Sequence, residues 1–263
     1  SSEIEKISNN IFKLLKVNSN KKNADINEKD ILLITYADTI KSKKNKPLTI
    51  LNDFLKNFIK NSINIVHILP YYPSSSDGGF AVTDFFKVDS KYGNWSDLKK
   101  ISKSYKIMSD VVLNHASSKS IWFKNFLKGK GKGKDYFLYF DKDINTKNVT
   151  RARSHKLIQK FDTNKGKKYV WCTFSKDQVD FDFKNPDVLI VFIKLILFLQ
   201  NKGIDFFRFD AVAFIWKRLD TSCINLDQTH AIVRLFRTIL SFSNKCSKII
   251  TETNLPFQEN LSY

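Results

Sequence analysis

The sequence predicts an α/β fold built on a parallel sheet, either doubly wound or closed as a (β/α)8 barrel. Five short, β-prone apolar runs alternate with helical spacings along the 263 residues, and such alternation calls for crossover connections between parallel strands. Polar side chains suited to chemistry fall at or just beyond the C-terminal ends of these runs, at Asp77, His115, Asp210 and Glu252, where both folds place their sites. No Gly-x-Gly-x-x-Gly follows any of the runs, which argues against the dinucleotide-binding version.

In order, residues 4–17 carry a weak helical pattern and lead into a polar Lys/Asn linker that ends near residue 30. Residues 31–36 (ILLITY) form the first strand, 50–59 have helical spacing, and 63–69 form the second strand, closed by Pro70 and the Pro73-Ser74-Ser75-Ser76 turn. Trp95 opens another helix, with Ser96 as its expected N-cap. The third strand, 107–113, ends in Asn114-His115. The rhythm then stops: residues 116–184 are polar and aromatic, around the glycine-lysine run 128–134. That run reads as a solvated loop, because no strand feeds it and no Lys-Ser/Thr pair follows. Asn185-Pro186-Asp187 starts a largely buried helix over 188–200 that Gly203 ends. The fourth strand closes on Arg208-Phe209-Asp210, a helix follows over 229–240, and the fifth strand, from residue 248, reaches Glu252.

The net charge of +18 does not point to nucleic acid, because only six of the 44 basic residues are Arg (151, 153, 208, 218, 234 and 237) and the lysines are spread along the chain. Such a field favours the approach of small anions such as phosphate. Cys172, Cys223 and Cys246 are odd in number and contain no CxxC pair, so neither a disulfide framework nor a zinc site is expected. A reducing, cytoplasmic setting and no membrane partner are expected.

Asp210 closes an apolar run, where a carboxylate is costly unless paired. Arg208 lies two residues earlier on the same strand face and is its expected partner. Two parallel strands that end on carboxylates, Asp210 and Glu252, suit double displacement at a glycosidic bond.

These residues together resemble the α-amylase superfamily (glycoside hydrolase family 13), and within it the sucrose phosphorylase branch. The resemblance rests on an ordered set of motifs: Ile34-Thr35-Tyr36-Ala37-Asp38, Val66-His67-Ile68-Leu69-Pro70, Ser76-Asp77-Gly78-Gly79-Phe80, Asp110-Val111-Val112-Leu113-Asn114-His115, Trp171-Cys172-Thr173-Phe174 through Gln178-Val179-Asp180, Arg208-Phe209-Asp210-Ala211, and Thr251-Glu252-Thr253-Asn254. Phe257 departs from the pattern, standing where relatives usually carry His.

What the resemblance implies is specific. The fold would be the first five strands of a (β/α)8 TIM barrel, with an N-terminal helix and linker over 1–30, barrel segments over 31–115 and 185–263, and a loop-rich subdomain inserted over 116–184. Asp210 would be the nucleophile, held ionised and oriented by Arg208. Glu252 would protonate the departing sugar oxygen and later deprotonate the acceptor. Asp77 and His115 would bind glucose hydroxyls, Phe80 and Phe174 would wall the sugar, and Gln178 would lie at the mouth between glucosyl and acceptor sites. Asn114 resembles a calcium ligand of amylases, although the phosphorylase branch works without calcium, and no metal or organic cofactor is implied. The expected reaction is phosphorolysis of sucrose or a similar α-glucoside, with inorganic phosphate as acceptor and α-glucose 1-phosphate as product. The alternatives are a hydrolase or transglucosylase of the same superfamily, or a carbohydrate-binding remnant. The chain has no Met at residue 1 and lacks the superfamily's third carboxylate and later strands, so a fragment with exposed sheet edges, poor solubility and no turnover alone is expected.

Overall fold

The computed structural model describes residues 2–15, 26–244 and 246–263. Most of the expected linker falls on residues 16–25, outside the described residues.

The first helix, α1 (Glu3–Leu14), starts at a capping box in which the Ser2 hydroxyl accepts from the Glu5 N–H and the Glu5 carboxylate accepts from the Ser2 N–H. Strand β1 (Leu32–Thr35) follows, then α2 (Pro47–Phe54), which begins three residues before the apolar spacing because Pro47 fits the first helical turn. It unwinds through a π turn (Leu55–Ile59) and a 3-10 turn (Lys60–Ser62) into β2 (Ile65–Ile68). Helix α3 (Trp95–Ile101) is capped by Asn94 rather than Ser96. Asn94 Oδ1 accepts from the Ser96 N–H at 2.8 Å, so Ser96 is the donor inside the first turn and cannot be the cap.

Strand β3 (Lys106–Val112) runs into β4 (His115–Ser117) and α4 (Ile121–Lys128). Then come β5 (Tyr139–Phe140), β6 (Ile158–Thr163), β7 (Gly166–Trp171) and β8 (Gln178–Asp180). The chain continues through α5 (Pro186–Asn201), β9 (Phe206–Asp210), α6 (Asp227–Ser243), β10 (Lys248–Thr251) and the single turn α7 (Phe257–Asn260). No terminal helix was legible after residue 254, and α7 is too short to show a period.

Five strands form one all-parallel sheet in the order β1-β2-β3-β9-β10, which leaves β1 and β10 as its edges. On one face Val66, Ile68, Ile107, Val111, Phe207 and Phe209 pack with the apolar stripes of α2, α3, α5 and α6 in the main core. Phe209, fully buried, meets Phe236 of α6 edge-on at 5.6 Å, and each such ring contributes on the order of 2 kcal/mol by leaving water. On the other face Ile65, Met108 and Phe206 form a small apolar layer near the strand starts. Above it the same face turns polar, with His67, Asp110, Arg208 and Asp210 on β2, β3 and β9.

Residues 116–184 contain more regular structure than their composition suggests. Two small antiparallel sheets, β4-β8 and β5-β7-β6, and the helix α4 lie here. In the β6–β7 hairpin exposed Lys160 and Asp162 alternate with only partly buried neighbours, and Gly166 and Lys167 are exposed after the two-residue Asn164-Lys165 turn, so its apolar contrast is low. Trp122, Phe123, Phe126, Phe137 and Phe181 from this stretch join the main core. The glycine-lysine run is not simply solvated either. Gly133, at φ +89°, packs so tightly on Trp122 that a Cβ would lie 2.6 Å from that side chain. No helix among the described residues is long and apolar enough to cross a membrane.

Candidate active site

The site lies at the C-terminal end of the parallel sheet. Strand β9 carries Arg208 and Asp210 on one face, since alternate residues share a side, and register sets Arg208 beside Asp110 of β3. The Arg208 guanidinium donates to Oδ1 of Asp110 and, at 3.0 Å, to Oδ1 of Asp210. Asp110 is fully buried, and its second oxygen lies 2.8 Å from His67 Nε2. The ring of Phe80 lies 5.8 Å from the guanidinium carbon.

Asp210 was expected to be held ionised by Arg208, but its surroundings favour the neutral carboxyl. Burial pushes the Asp210 carboxyl up to about 7; Arg208 pulls it down, while the negative charges of Glu252 and Asp110 push it further up. Arg208 does not offset the burial, because its one guanidinium serves two carboxylates and a third stands opposite.

After Asp210 the chain turns sharply at Ala211, which adopts φ +50°. This turn exposes the Ala211 N–H, which donates to Oε2 of Glu252 at 2.8 Å. Glu252 follows β10 directly; its N–H donates to Phe209 O of β9 (3.0 Å) and its carbonyl accepts from the Val212 N–H in the turn beyond β9 (3.2 Å). Asn254 Nδ2 donates to Oε1 at 2.6 Å.

The remaining expected residues meet beside this pair. Asp77 lies in a 3-10 turn (Asp77–Gly79) and accepts from Gln178 Nε2 at 2.7 Å; the same nitrogen is 3.1 Å from His115 Nε2. Gln178 is therefore a buried clamp between Asp77 and His115, 2 % exposed, and not a residue at the mouth. Its place follows from the β4–β8 ladder, which pairs Ser117 with Gln178 and His115 with Asp180. His115 also hydrogen-bonds the Phe80 main chain, and its ring packs on Phe174 at 5.2 Å. Burial drives the His115 pKa down to about 4, against the pull of Asp180, so it is a neutral imidazole at physiological pH. Phe257 is exposed on α7.

Sequence reasoning missed the groups that hold these side chains in place. Asp177 accepts hydroxyls from Ser75 (2.5 Å), Ser76 (2.5 Å), Ser117 (3.1 Å) and Ser118 (2.7 Å), stapling the Asp77 turn to β4. Burial opposes its charge, but these four donors hold its carboxyl below the usual range. Lys217 is almost wholly buried, its ammonium 2.6 Å from Asp180 and 2.7 Å from Asn114 Oδ1. Asn114 Nδ2 in turn donates to Asp180 at 2.9 Å, and the Thr173 N–H and hydroxyl donate to the same carboxylate. The oxygens of Asn114 and Asp180 that would face a metal are thus already satisfied by Lys217, and a calcium ion does not fit there. A Lys at the end of the apolar run Phe214-Ile215-Trp216 was the available signal.

The Asp77 turn has one position with no freedom. Gly79 has φ +108°, and a Cβ there would lie 2.8 Å from the Pro70 carbonyl oxygen. Gly79→Ala is expected to lower stability by about 1–3 kcal/mol, seen as a lower thermal midpoint; an unchanged midpoint would contradict this packing.

Residues 52–260 match the family model of the alpha amylase catalytic domain. The chain belongs to the α-amylase family. Among curated α-amylase-family relatives, it is 43% identical over 234 residues to the glucosylglycerate phosphorylase of Spirochaeta thermophila, covering 89% of this chain and 40% of that protein. It is 33% identical over 210 residues to the sucrose 6(F)-phosphate phosphorylase of Thermoanaerobacterium thermosaccharolyticum, covering 73% of this chain and 42% of that one. The crystal structure of sucrose 6F-phosphate phosphorylase from Thermoanaerobacter thermosaccharolyticum superposes with a TM-score of 0.80 at 27% identity, covering 89% of this chain and 50% of that chain. The chain therefore spans about 40% of the length of these curated relatives. Its five-stranded parallel sheet resembles part of the family's TIM-barrel catalytic domain.

Proposed function

We propose that this chain carries the nucleophile and the acid/base of a retaining α-glucosyl phosphorylase, whose donor is an α-glucoside of glycerate. The observation that carries the chemistry is the Asp210–Arg208 pair at the end of β9, facing Glu252 at the end of β10. Support for the donor is the higher identity to the glucosylglycerate phosphorylase, 43% against 33% for the sucrose 6(F)-phosphate phosphorylase.

In the first step an Asp210 carboxylate oxygen attacks the anomeric carbon, the glycosidic C–O bond breaks, and the Glu252 proton passes to the leaving oxygen. A phosphate oxygen then attacks the same carbon, the ester to Asp210 breaks, and Glu252 takes the proton from phosphate. Two inversions give α-glucose 1-phosphate. Asp77, His115 and Gln178 form a rigid polar wall for the sugar hydroxyls, and Phe80 and Phe174 supply its apolar sides. The +18 charge favours both anionic substrates, the α-glucoside of glycerate and phosphate.

The test is a glucose 1-phosphate assay on protein from the full reading frame, with phosphate and a panel of 2-O-α-glucosylglycerate, sucrose, sucrose 6-phosphate and glucosylglycerol. Phosphate-dependent product with glucosylglycerate as best donor is expected. Best turnover of sucrose would overturn the donor assignment, and free glucose independent of phosphate would indicate a hydrolase. Because Asp210 must be ionised to attack, the acid limb of the kcat/KM profile is expected to rise with pH through about 7. A profile flat from pH 5 to 8 would contradict a protonated resting Asp210.

A further inference from the structure

Resting on that reading, we infer that Asn254 is a positioning residue for the acid/base, holding the Glu252 carboxyl in line with the leaving-group oxygen. Both Glu252 oxygens have a donor: Oε2 the Ala211 N–H at 2.8 Å, Oε1 the Asn254 amide at 2.6 Å. The first is main chain at the turn directly after the nucleophile and fixes one oxygen relative to Asp210. A single bond still allows the carboxyl to swing about it. The second bond, from a residue on Glu252's own strand exit, removes that freedom, because two anchored oxygens define the carboxyl plane.

Asn254 adopts φ +55°. This left-handed conformation is costly for most side chains and tolerated by Asn. It turns the chain so that residue 254 folds back on residue 252. The Asn254 side chain is exposed apart from this contact, so packing does not account for its placement. The charged groups facing Glu252 come from β9 and β3: Arg208, Asp210 and, behind them, Asp110. Asn254 adds a neutral donor that orients the acid without adding a further charge to this crowded set.

The test separates orientation from folding by the acidity of the leaving group. Departure of glycerate or fructose as an alkoxide needs a proton from Glu252, whereas fluoride leaves α-glucosyl fluoride without one. Asn254→Gly removes the amide and suits the left-handed backbone, so the fold is spared. Assayed in protein from the full reading frame, it is expected to lose about 10- to 100-fold in kcat for phosphorolysis of α-glucosides. The pre-steady-state burst of fluoride from α-glucosyl fluoride, which reports the first step alone, is expected to slow less than about threefold, because glucosylation of Asp210 from this donor bypasses the acid. Parallel losses on both substrates would show a merely structural role, and no loss on either would remove Asn254 from the machinery; both overturn the inference. If the unsubstituted protein turns over neither substrate, the glucosyl-transfer reading itself fails, and that outcome is distinct from both.

Discussion

Replacing Asp210 by Asn is expected to abolish glucosyl transfer, by at least about a thousandfold in kcat, while making the fold more stable above neutral pH. The first effect follows because the amide cannot form the glucosyl ester. The second follows from the burial of this carboxyl. In the unfolded chain Asp210 releases its proton near 3.8, whereas in the fold it keeps it up to about 7. Between these values the folded state binds more protons than the unfolded one, so this carboxyl costs stability progressively as pH rises from about 4 to about 7. Part of that cost is offset by Arg208, which Asn would forfeit. The net gain expected for Asp210→Asn is about 1–3 kcal/mol above pH 7, shrinking towards nothing near pH 4. Thermal melts of both proteins at pH 4.5, 6 and 8 measure it. A constant difference across pH would mean that Asp210 is ionised throughout.

The second large effect concerns Lys217. Its ammonium is the counter-charge for Asp180, which is fully buried. Lys217→Met keeps the volume and removes the charge, leaving Asp180 with the neutral donors Asn114 and Thr173. The expected loss is about 3–5 kcal/mol, because an unpaired buried carboxylate is costlier than the pair is favourable. The sign of a second substitution tests this mechanism: Asp180→Asn, added to Lys217→Met, should recover part of the loss. If the double variant is less stable than the single one, Lys217 acts through packing and not through charge. Asp180 pairs with His115 across β4 and β8, and Gln178 is two residues from it. Loss of the pair is therefore expected to loosen the Asp77–Gln178–His115 wall as well.

The parts of this molecule that were legible in sequence share a physical reason. The strands ending at Asp210 and Glu252 are short runs of β-prone apolar residues bounded by polar ones, and the helix at Pro186–Asn201 has a cap, a proline in its first turn and a terminating glycine. Such signals are local and survive any tertiary context. Asp77, His115, Phe80, Phe174 and Gln178 were located because they sit in an ordered series of motifs. Their arrangement was not legible, and Gln178 lies buried between Asp77 and His115 where an open mouth was expected. The network of Lys217, Asp180, Asn114 and Thr173 draws on positions about a hundred residues apart, and no local pattern records such a meeting. The raised Asp210 carboxyl belongs to the same class. Sequence shows the neighbouring Arg208 but not that Asp110 claims the same guanidinium.

The central claim is that Asp210 carries the glucosyl group between donor and phosphate, with Glu252 as its proton partner. Incubating the Glu252→Gln variant of the protein from the full reading frame with α-glucosyl fluoride and no phosphate tests it most directly. The first step needs no acid with this donor, whereas transfer to water without the base is slow, so the intermediate should accumulate. Proteolysis and mass spectrometry are expected to find one glucosyl group on the peptide that contains Asp210, lost again in an Asp210→Asn, Glu252→Gln double variant. A glucosyl group on any other residue, or fluoride release without an adduct, would contradict the account.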